Sequence, residues 1–320
     1  MTVSVVGAGA FGTGLAISLA AKTDVCLWAR SERHVRHMAE AHENVARLPG
    51  IALPSRILVT GDMAKAAMSD VILMAVPTQT LREVIGENSN ALTGKSLIAC
   101  CKGAETGTGL GPVGVITDVL PDTTAALLTG PSFARDIANG LPTALTLACE
   151  DLGAAAHLQK ALTTANLRLY RSSDVAGAEM GGALKNVIAI ACGAVMGAGL
   201  GESARAALMT RGYAEMVRFA VSRGARVDTL AGLSGLGDLA LTCTSGQSRN
   251  YRRGIALGRG EPFDPSVTVE GAATAEAIAR SAGNSGLDLP ITQAVVALLN
   301  GKITIDKAVE TLLARPLKEE

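Results

Sequence analysis

Gly7-Ala8-Gly9-Ala10-Phe11-Gly12 stands between a short β-branched run, Val3-Ser4-Val5-Val6, and an apolar stretch that opens Thr13-Gly14-Leu15-Ala16. The glycine spacing is G-x-G-x-x-G, and the strand before it and helix after it decide how it reads. Gly7 permits a tight turn, Gly9 lets the backbone approach a pyrophosphate, and Gly12 lets helix and strand pack, while the helix N-terminus favours phosphate charge. The stretch predicts the first βα turn of a dinucleotide-binding fold, with Gly7, Gly9 and Gly12 at the cofactor.

The same alternation continues downstream. Strand patterns occupy 3–6, 25–28, 57–60, 70–76, 96–101, 125–129, 144–148 and 167–170, with helical patterns such as 12–22, 62–68, 80–87 and 151–164 between them. Alternating units of this kind imply a doubly wound, mainly parallel sheet. After Asp174 only Ala-rich helical segments punctuated by Gly remain, at 175–198, 203–223, 227–243, 248–257, 271–283, 290–299 and 304–314. The expected architecture is α/β, a Rossmann-type dinucleotide-binding domain over 1–173 followed by an all-α domain over 174–320.

Composition narrows the partners. Of 320 residues 48% are hydrophobic but only 2% aromatic, and 36 are Gly, so the core is built of closely packed aliphatic residues. Lys+Arg and Asp+Glu both number 29, which leaves no net field for nucleic acid or an anionic membrane surface. The six cysteines form no C-x-x-C pair and there are four histidines, so no metal site is expected. Cysteines within apolar runs and the lack of a signal peptide point to a reduced, cytoplasmic protein. The charge-free stretch 186–201 falls short of the ~20 residues that cross a bilayer and is interrupted by Gly193, Gly197, Gly199 and Gly201, as in a buried, tightly packed helix.

Hydride chemistry at a nicotinamide needs a group to manage the substrate oxygen's proton. All four histidines lie in the first half, and the positions four after Tyr170, Tyr213 and Tyr251 are Asp174, Val217 and Ile255, so no Tyr-x-x-x-Lys pair exists. Lys185, in Gly181-Gly182-Ala183-Leu184-Lys185-Asn186-Val187-Ile188-Ala189, has small or apolar neighbours, and burial is expected to lower its pKa towards that of a general base. The alternative is a lysine reaching from a core helix to water; adjacent Asn186 favours a paired polar site. Asp238 stands in a Gly-rich apolar stretch, where it orients Lys185 or a substrate hydroxyl, or caps a helix. Thr242-Cys243-Thr244-Ser245-Gly246-Gln247-Ser248-Arg249-Asn250 gathers hydroxyls, an amide and an Arg at a helix start, anion-binding chemistry suited to a substrate phosphate or to the cofactor. Lys102, at a strand's carboxyl end, is placed to reach a carbonyl oxygen, and Gly130 and Ser132 follow the next strand, although either segment serves equally well as a turn. Arg30, just past the second strand, suits a cofactor 2′-phosphate unless it is one of several solvated charges over 30–36; no carboxylate stands there as an NAD site would have it.

Taken together the chain resembles the bacterial-type NAD(P)-dependent glycerol-3-phosphate dehydrogenases. The carriers are GAGAFGTGLA at 7–16, HEN at 42–44, VP at 76–77, KG at 102–103, GPSFARDIANGLPTA at 130–144, ALKN at 183–186, AGLSGLGDLALTCTSGQSRN at 231–250 and VEG at 269–271. The resemblance implies reversible hydride transfer between sn-glycerol 3-phosphate and dihydroxyacetone phosphate, feeding glycerophospholipid synthesis, with Lys185 as proton acceptor. It implies substrate contacts at Lys102, Gly130, Ser132, Asp238, Ser248, Arg249 and Asn250. It places Ala10, Phe11, Arg30, Lys102, Ala134, Arg249, Thr268 and Glu270 at an NAD(P)(H) cofactor and implies a homodimer; Arg30 tilts the expected cofactor towards NADP(H) over NAD(H). Many members have Ser where Ala10 stands and Glu where Asp136 stands. Ketopantoate reductases and β-hydroxyacid dehydrogenases share the two-domain plan, but Ser248-Arg249-Asn250 after Gly237-Asp238 speaks against them.

Overall fold

The structure is a computed structural model that describes residues 2–264, 267 and 269–314. Among these residues eight strands form one sheet: β1 Val3–Val6, β2 Val25–Trp28, β3 Ile57–Thr60, β4 Val71–Met74, β5 Ser96–Ala99, β6 Thr124–Thr129, β7 Thr143–Ala148 and β8 Leu167–Ser172. The first eight helices join or follow them: α1 Ala10–Ala20, α2 Glu32–Ala41, α3 Met63–Ala66, α4 Thr78–Glu87, α5 Ser89–Leu92, α6 Pro112–Val119, α7 Ala134–Ala138 and α8 Leu152–Leu162. The helical remainder is α9 Val175–Gly197, α10 Glu202–Val221, α11 Val227–Ala231, α12 Asp238–Thr244, α13 Arg249–Arg259, α14 Glu270–Ser285, α15 Pro290–Leu299 and α16 Ile305–Leu313. Two compact units result, Met1–Glu179 and Met180–Glu320, with the division inside α9.

Strand order is β3-β2-β1-β4-β5-β6-β7-β8, parallel throughout except for β6 against β7. The chain winds outward from β1 to β3 and then restarts at β4 on β1's other side, so ligands are expected at the carboxyl ends of β1 and β4. β1, β2 and β4 are buried end to end because helices cover both faces. Alternate side chains feed two cores: Val5, Leu27 and Leu73 meet Leu15 and Leu19 of α1, whereas Val6, Trp28 and Met74 meet Leu81 and Ile85 of α4. Trp28, the sole tryptophan, ends β2 with its indole N–H donating to the Gly61 carbonyl at 2.9 Å.

In the helical unit, α9 is long and apolar enough to cross a membrane by length and composition, yet 78% of its most apolar window is buried within the fold. Its C-terminal half packs against α13 through a seam of glycines. A Cβ on Gly193 or Gly197 would strike the backbone oxygen of Tyr251 or Ile255, and one on Gly254 or Gly258 would strike that of Ile190 or Ala194. The continuous helix expected over 227–243 is instead α11, a five-residue π turn at Leu233–Gly237, and α12. The run Gly232-Leu233-Ser234-Gly235-Leu236-Gly237 explains the break: glycine disfavours regular helix, and a Cβ at Gly235 would strike the Leu230 backbone.

Candidate active site

In the first unit the site begins at the loop after β1. Gly7 has φ +118°, and a Cβ there would lie 2.6 Å from the Ala75 carbonyl oxygen beyond β4. Gly9 caps α1 with no side chain bonded to the helix end, no acidic residue in the first turn, and open space where its Cβ would be. Ala10 and Phe11, both half-buried, open the helix. An uncapped helix N-terminus with room for close approach suits an anionic pyrophosphate, so these residues fit the expected dinucleotide. Gly12 packs against the Gly7 backbone and Ala75, and Gly14 against the Ala134 carbonyl at the start of α7. Buried Asn44 braces the loop from behind, donating from Nδ2 to the Ala8 carbonyl at 3.0 Å and to Thr13 Oγ1 at 2.8 Å.

Arg30 is exposed two residues past β2, and Ser31 is engaged as the α2 cap, its Oγ accepting from the His34 N–H at 3.3 Å. The nearby carboxylate, Glu32, lies against Gly61. At the carboxyl ends of β5 and β6, Lys102 Nζ donates to the Gly130 carbonyl at 3.5 Å and Ser132 Oγ donates to the same oxygen at 3.2 Å. Gly130 has φ +138° beside Leu145, a position that favours glycine. The structure thus brings Lys102, Gly130 and Ser132 together.

In the second unit, Lys185 Nζ donates to Asp238 Oδ1 at 2.5 Å and to Thr242 Oγ1 at 2.7 Å, and Thr242 Oγ1 in turn donates to Asp238 Oδ1 at 3.3 Å. Asp238 and Thr242 are four apart on α12 and so share one face. All three are buried, Lys185 at 7% exposed, Asp238 at 1% and Thr242 at 4%. Lys185 thus lies buried with a carboxylate and a hydroxyl at its Nζ, and Asp238 is paired with it, the first of the roles its place in the sequence suggests. Asp238 opens α12 with its side chain turned to Lys185. The π turn lets α9 sit close, with Gly181 against the Ser234 carbonyl.

Asn186 is buried beside Lys185, and its backbone oxygen lies 2.7 Å from where a Gly271 Cβ would be. Asn250 Oδ1 accepts from the Gly271 N–H at 2.9 Å, so the start of α14 joins the two asparagines. Ser248 caps α13, accepting from the Tyr251 N–H at 3.2 Å, and Arg249, the first residue of that helix, is exposed. Glu270 opens α14, half-buried. Thr268 lies outside the described residues. Among the described residues no group of three or more His, Cys, Asp or Glu side chains is placed to hold a metal ion.

Two family models match, described as the NAD-dependent glycerol-3-phosphate dehydrogenase N-terminus over residues 2–155 and C-terminus over 174–310. The chain belongs to the NAD-dependent glycerol-3-phosphate dehydrogenase family. It is 62% identical to a glycerol-3-phosphate dehydrogenase [NAD(P)+] of Ruegeria sp. (strain TM1040), covering all of both chains. The solved glycerol-3-phosphate dehydrogenase of Coxiella burnetii is 34% identical, with TM-score 0.91 over 98% of this chain and 99% of that one. A ketopantoate reductase from Ralstonia eutropha JMP134 shares the fold at 18% identity and TM-score 0.60 over 97% of this chain and 100% of its own.

Two residues of this glycerol-3-phosphate dehydrogenase family member sit at the site without standing among the expected contacts. Thr242 was visible only as one hydroxyl of a polar segment, and its spacing of four from Asp238 was the available signal. Asn44 closes the HEN triplet, a weak signal until its bonds to the glycine loop are seen.

Proposed function

We propose that the chain catalyses reversible hydride transfer between sn-glycerol 3-phosphate and dihydroxyacetone phosphate, with NADP(H) preferred over NAD(H) and no metal. The observation that carries this reading is the buried Lys185–Asp238–Thr242 cluster in a chain that matches the family from end to end. Residues 1–173 are the dinucleotide-binding domain and 174–320 the substrate-binding and catalytic domain, each lending a few groups to the other's ligand. The nicotinamide cofactor held in the first domain would supply the hydride acceptor or donor for the substrate's C2.

Lys185 moves the proton on the C2 oxygen. Its ammonium, held by Asp238 and Thr242, donates when dihydroxyacetone phosphate is reduced, and the amine takes the proton back in the oxidation. Asp238 also contacts substrate. Lys102, Gly130, Ser132 and Asn186 orient the glycerol portion, with Lys102 polarising the C2 carbonyl. Ser248, Arg249 and Asn250, at the N-terminus of α13, bind the phosphate by helix dipole and a planar guanidinium fork. Gly7, Gly9, Ala10, Phe11 and Gly12 take the pyrophosphate; Arg30 takes the 2′-phosphate; Ala134, Arg249, Thr268 and Glu270 complete the cofactor contacts. Supply of glycerol 3-phosphate to glycerophospholipid synthesis, a cytoplasmic location and a homodimer are parts of the same reading and rest on the family resemblance.

The test is the loss of NADPH absorbance when dihydroxyacetone phosphate is added to the purified protein. Rapid loss with this substrate and none with ketopantoate or a β-keto acid is expected. The reverse pattern overturns the proposal.

A further inference from the structure

The segment 102–110 leaves β5 carrying Lys102 and contains Gly103 at φ +97° and Gly109 at φ +75°. Glycines in the left-handed region leave such a segment little intrinsic order. Part of its order is its own, the Glu105 N–H donating to the Leu110 carbonyl and the Gly109 N–H to the Glu105 carbonyl, and the rest comes from the first turns of α4. Thr78 Oγ1 donates to the Lys102 carbonyl at 2.8 Å. Gln79 Nε2 donates to the Ala104 carbonyl at 2.8 Å, and its Oε1 accepts from the Thr106 N–H at 3.0 Å and the Thr106 hydroxyl at 2.9 Å. Arg82 closes a fork on Glu105, Nε to Oε1 at 2.9 Å and Nη2 to Oε2 at 3.1 Å, while Nη1 reaches Asp118 of α6 at 2.6 Å. Glu105 is also bonded by the Thr108 hydroxyl at 2.5 Å. The Arg82–Glu105 fork is sheltered, its carboxylate only 11% exposed.

We propose that Arg82 and Gln79 are positioning residues, latching segment 102–110 onto α4 so that Lys102 is presented to substrate and cofactor before either arrives. The inference rests on the role given above to Lys102. A latch of this kind acts on the fraction of molecules competent to bind, and apparent affinity falls in proportion to that fraction. Once ligands hold Lys102 the chemistry is unchanged. Loosening the latch therefore raises KM and leaves kcat alone, which a general loss of folding does not do.

The experiment compares Arg82→Met, Glu105→Gln and Gln79→Ala with the unaltered protein. Glu105→Gln weakens the latch while leaving the Arg82–Asp118 pair in place, so it separates segment positioning from the packing of α4 on α6. KM for dihydroxyacetone phosphate and Kd for NADPH are expected to rise roughly tenfold in Arg82→Met, the equivalent of one charged hydrogen bond, with kcat held within about threefold. Amide exchange over 103–109 is expected to quicken in all three variants and to slow again at saturating NADPH. A fall in kcat at unchanged KM, or unchanged exchange over 103–109, overturns the latch. If the unaltered protein does not turn over dihydroxyacetone phosphate, the proposed function fails, while exchange and NADPH affinity still judge the latch.

Discussion

Lys185 and Asp238 are a buried ion pair, and removing one partner strands the other. Lys185→Ala should lower kcat by about 10²–10⁴, the range for a general acid/base. It should also lower unfolding free energy by about 3–5 kcal/mol, because the Asp238 carboxylate is left without its cation. Rapid-mixing kinetics with NADPH and urea unfolding measure the two, and near-normal turnover refutes the acid/base role. Arg30 and Arg249 offer cleaner tests because both are exposed. Arg30→Ala should weaken NADPH by roughly ten- to a hundredfold and leave NADH almost unchanged, as titration of each cofactor will show. Arg249→Lys should reduce kcat/KM steeply for dihydroxyacetone phosphate and hardly at all for unphosphorylated dihydroxyacetone, since an ammonium cannot reproduce the fork. At this scale Lys185 was legible because its neighbours are all small or apolar. Its pairing with Asp238 was legible only as one of three roles for that carboxylate, because Asp238 lies 53 residues away and the tertiary fold is what brings it to Nζ.

Elements were legible where period and punctuation agree. β1, β2 and β3 stand where alternation placed them, and α9 ends within a residue of the expected 198, where Gly199 and Gly201 stop the pattern. The π turn was hidden because a run of Leu and Gly has the composition of a helix with flaws, and only packing against Gly181 and Leu230 chooses the wider turn. The glycine seam between α9 and α13 makes a sharp prediction. Gly254→Ala drives a methyl group into the Ile190 carbonyl, and the three nearest atoms, from Ile190, Ala194 and Gly193, are all backbone, so the helices must part. The loss should be about 1–3 kcal/mol by urea unfolding, as for overpacked cores. Because α9 carries Lys185 and α13 opens with Ser248-Arg249-Asn250, KM for the phosphorylated substrate should rise as well.

For the molecule as a whole the doubly wound topology followed from the βα alternation, but the reversal of β7 against β6 did not, since alternation carries no strand direction. Stability should also carry a pH signature. Glu179, on α9, accepts from the Val113 N–H at 2.8 Å near the start of α6, and burial pushes its carboxyl up from 4.5 to about 7. Between those values the folded chain holds a proton that the unfolded chain has lost. Its contribution is therefore fully present below pH 4.5 and lost as pH rises through about 7. Urea midpoints measured from pH 5 to 8 should fall more in the unaltered protein than in Glu179→Gln, and parallel slopes would refute the assignment. Trp28 has a different consequence. As the sole indole in the chain, fixed to Gly61 at the end of β2 and two residues before Arg30, it is a single built-in fluorophore on the strand that leads to the adenosine end of the proposed cofactor site. Its emission overlaps the absorption of reduced nicotinamide, so quenching by energy transfer reports NADPH loading optically, with no added label and no second indole to confuse the reading.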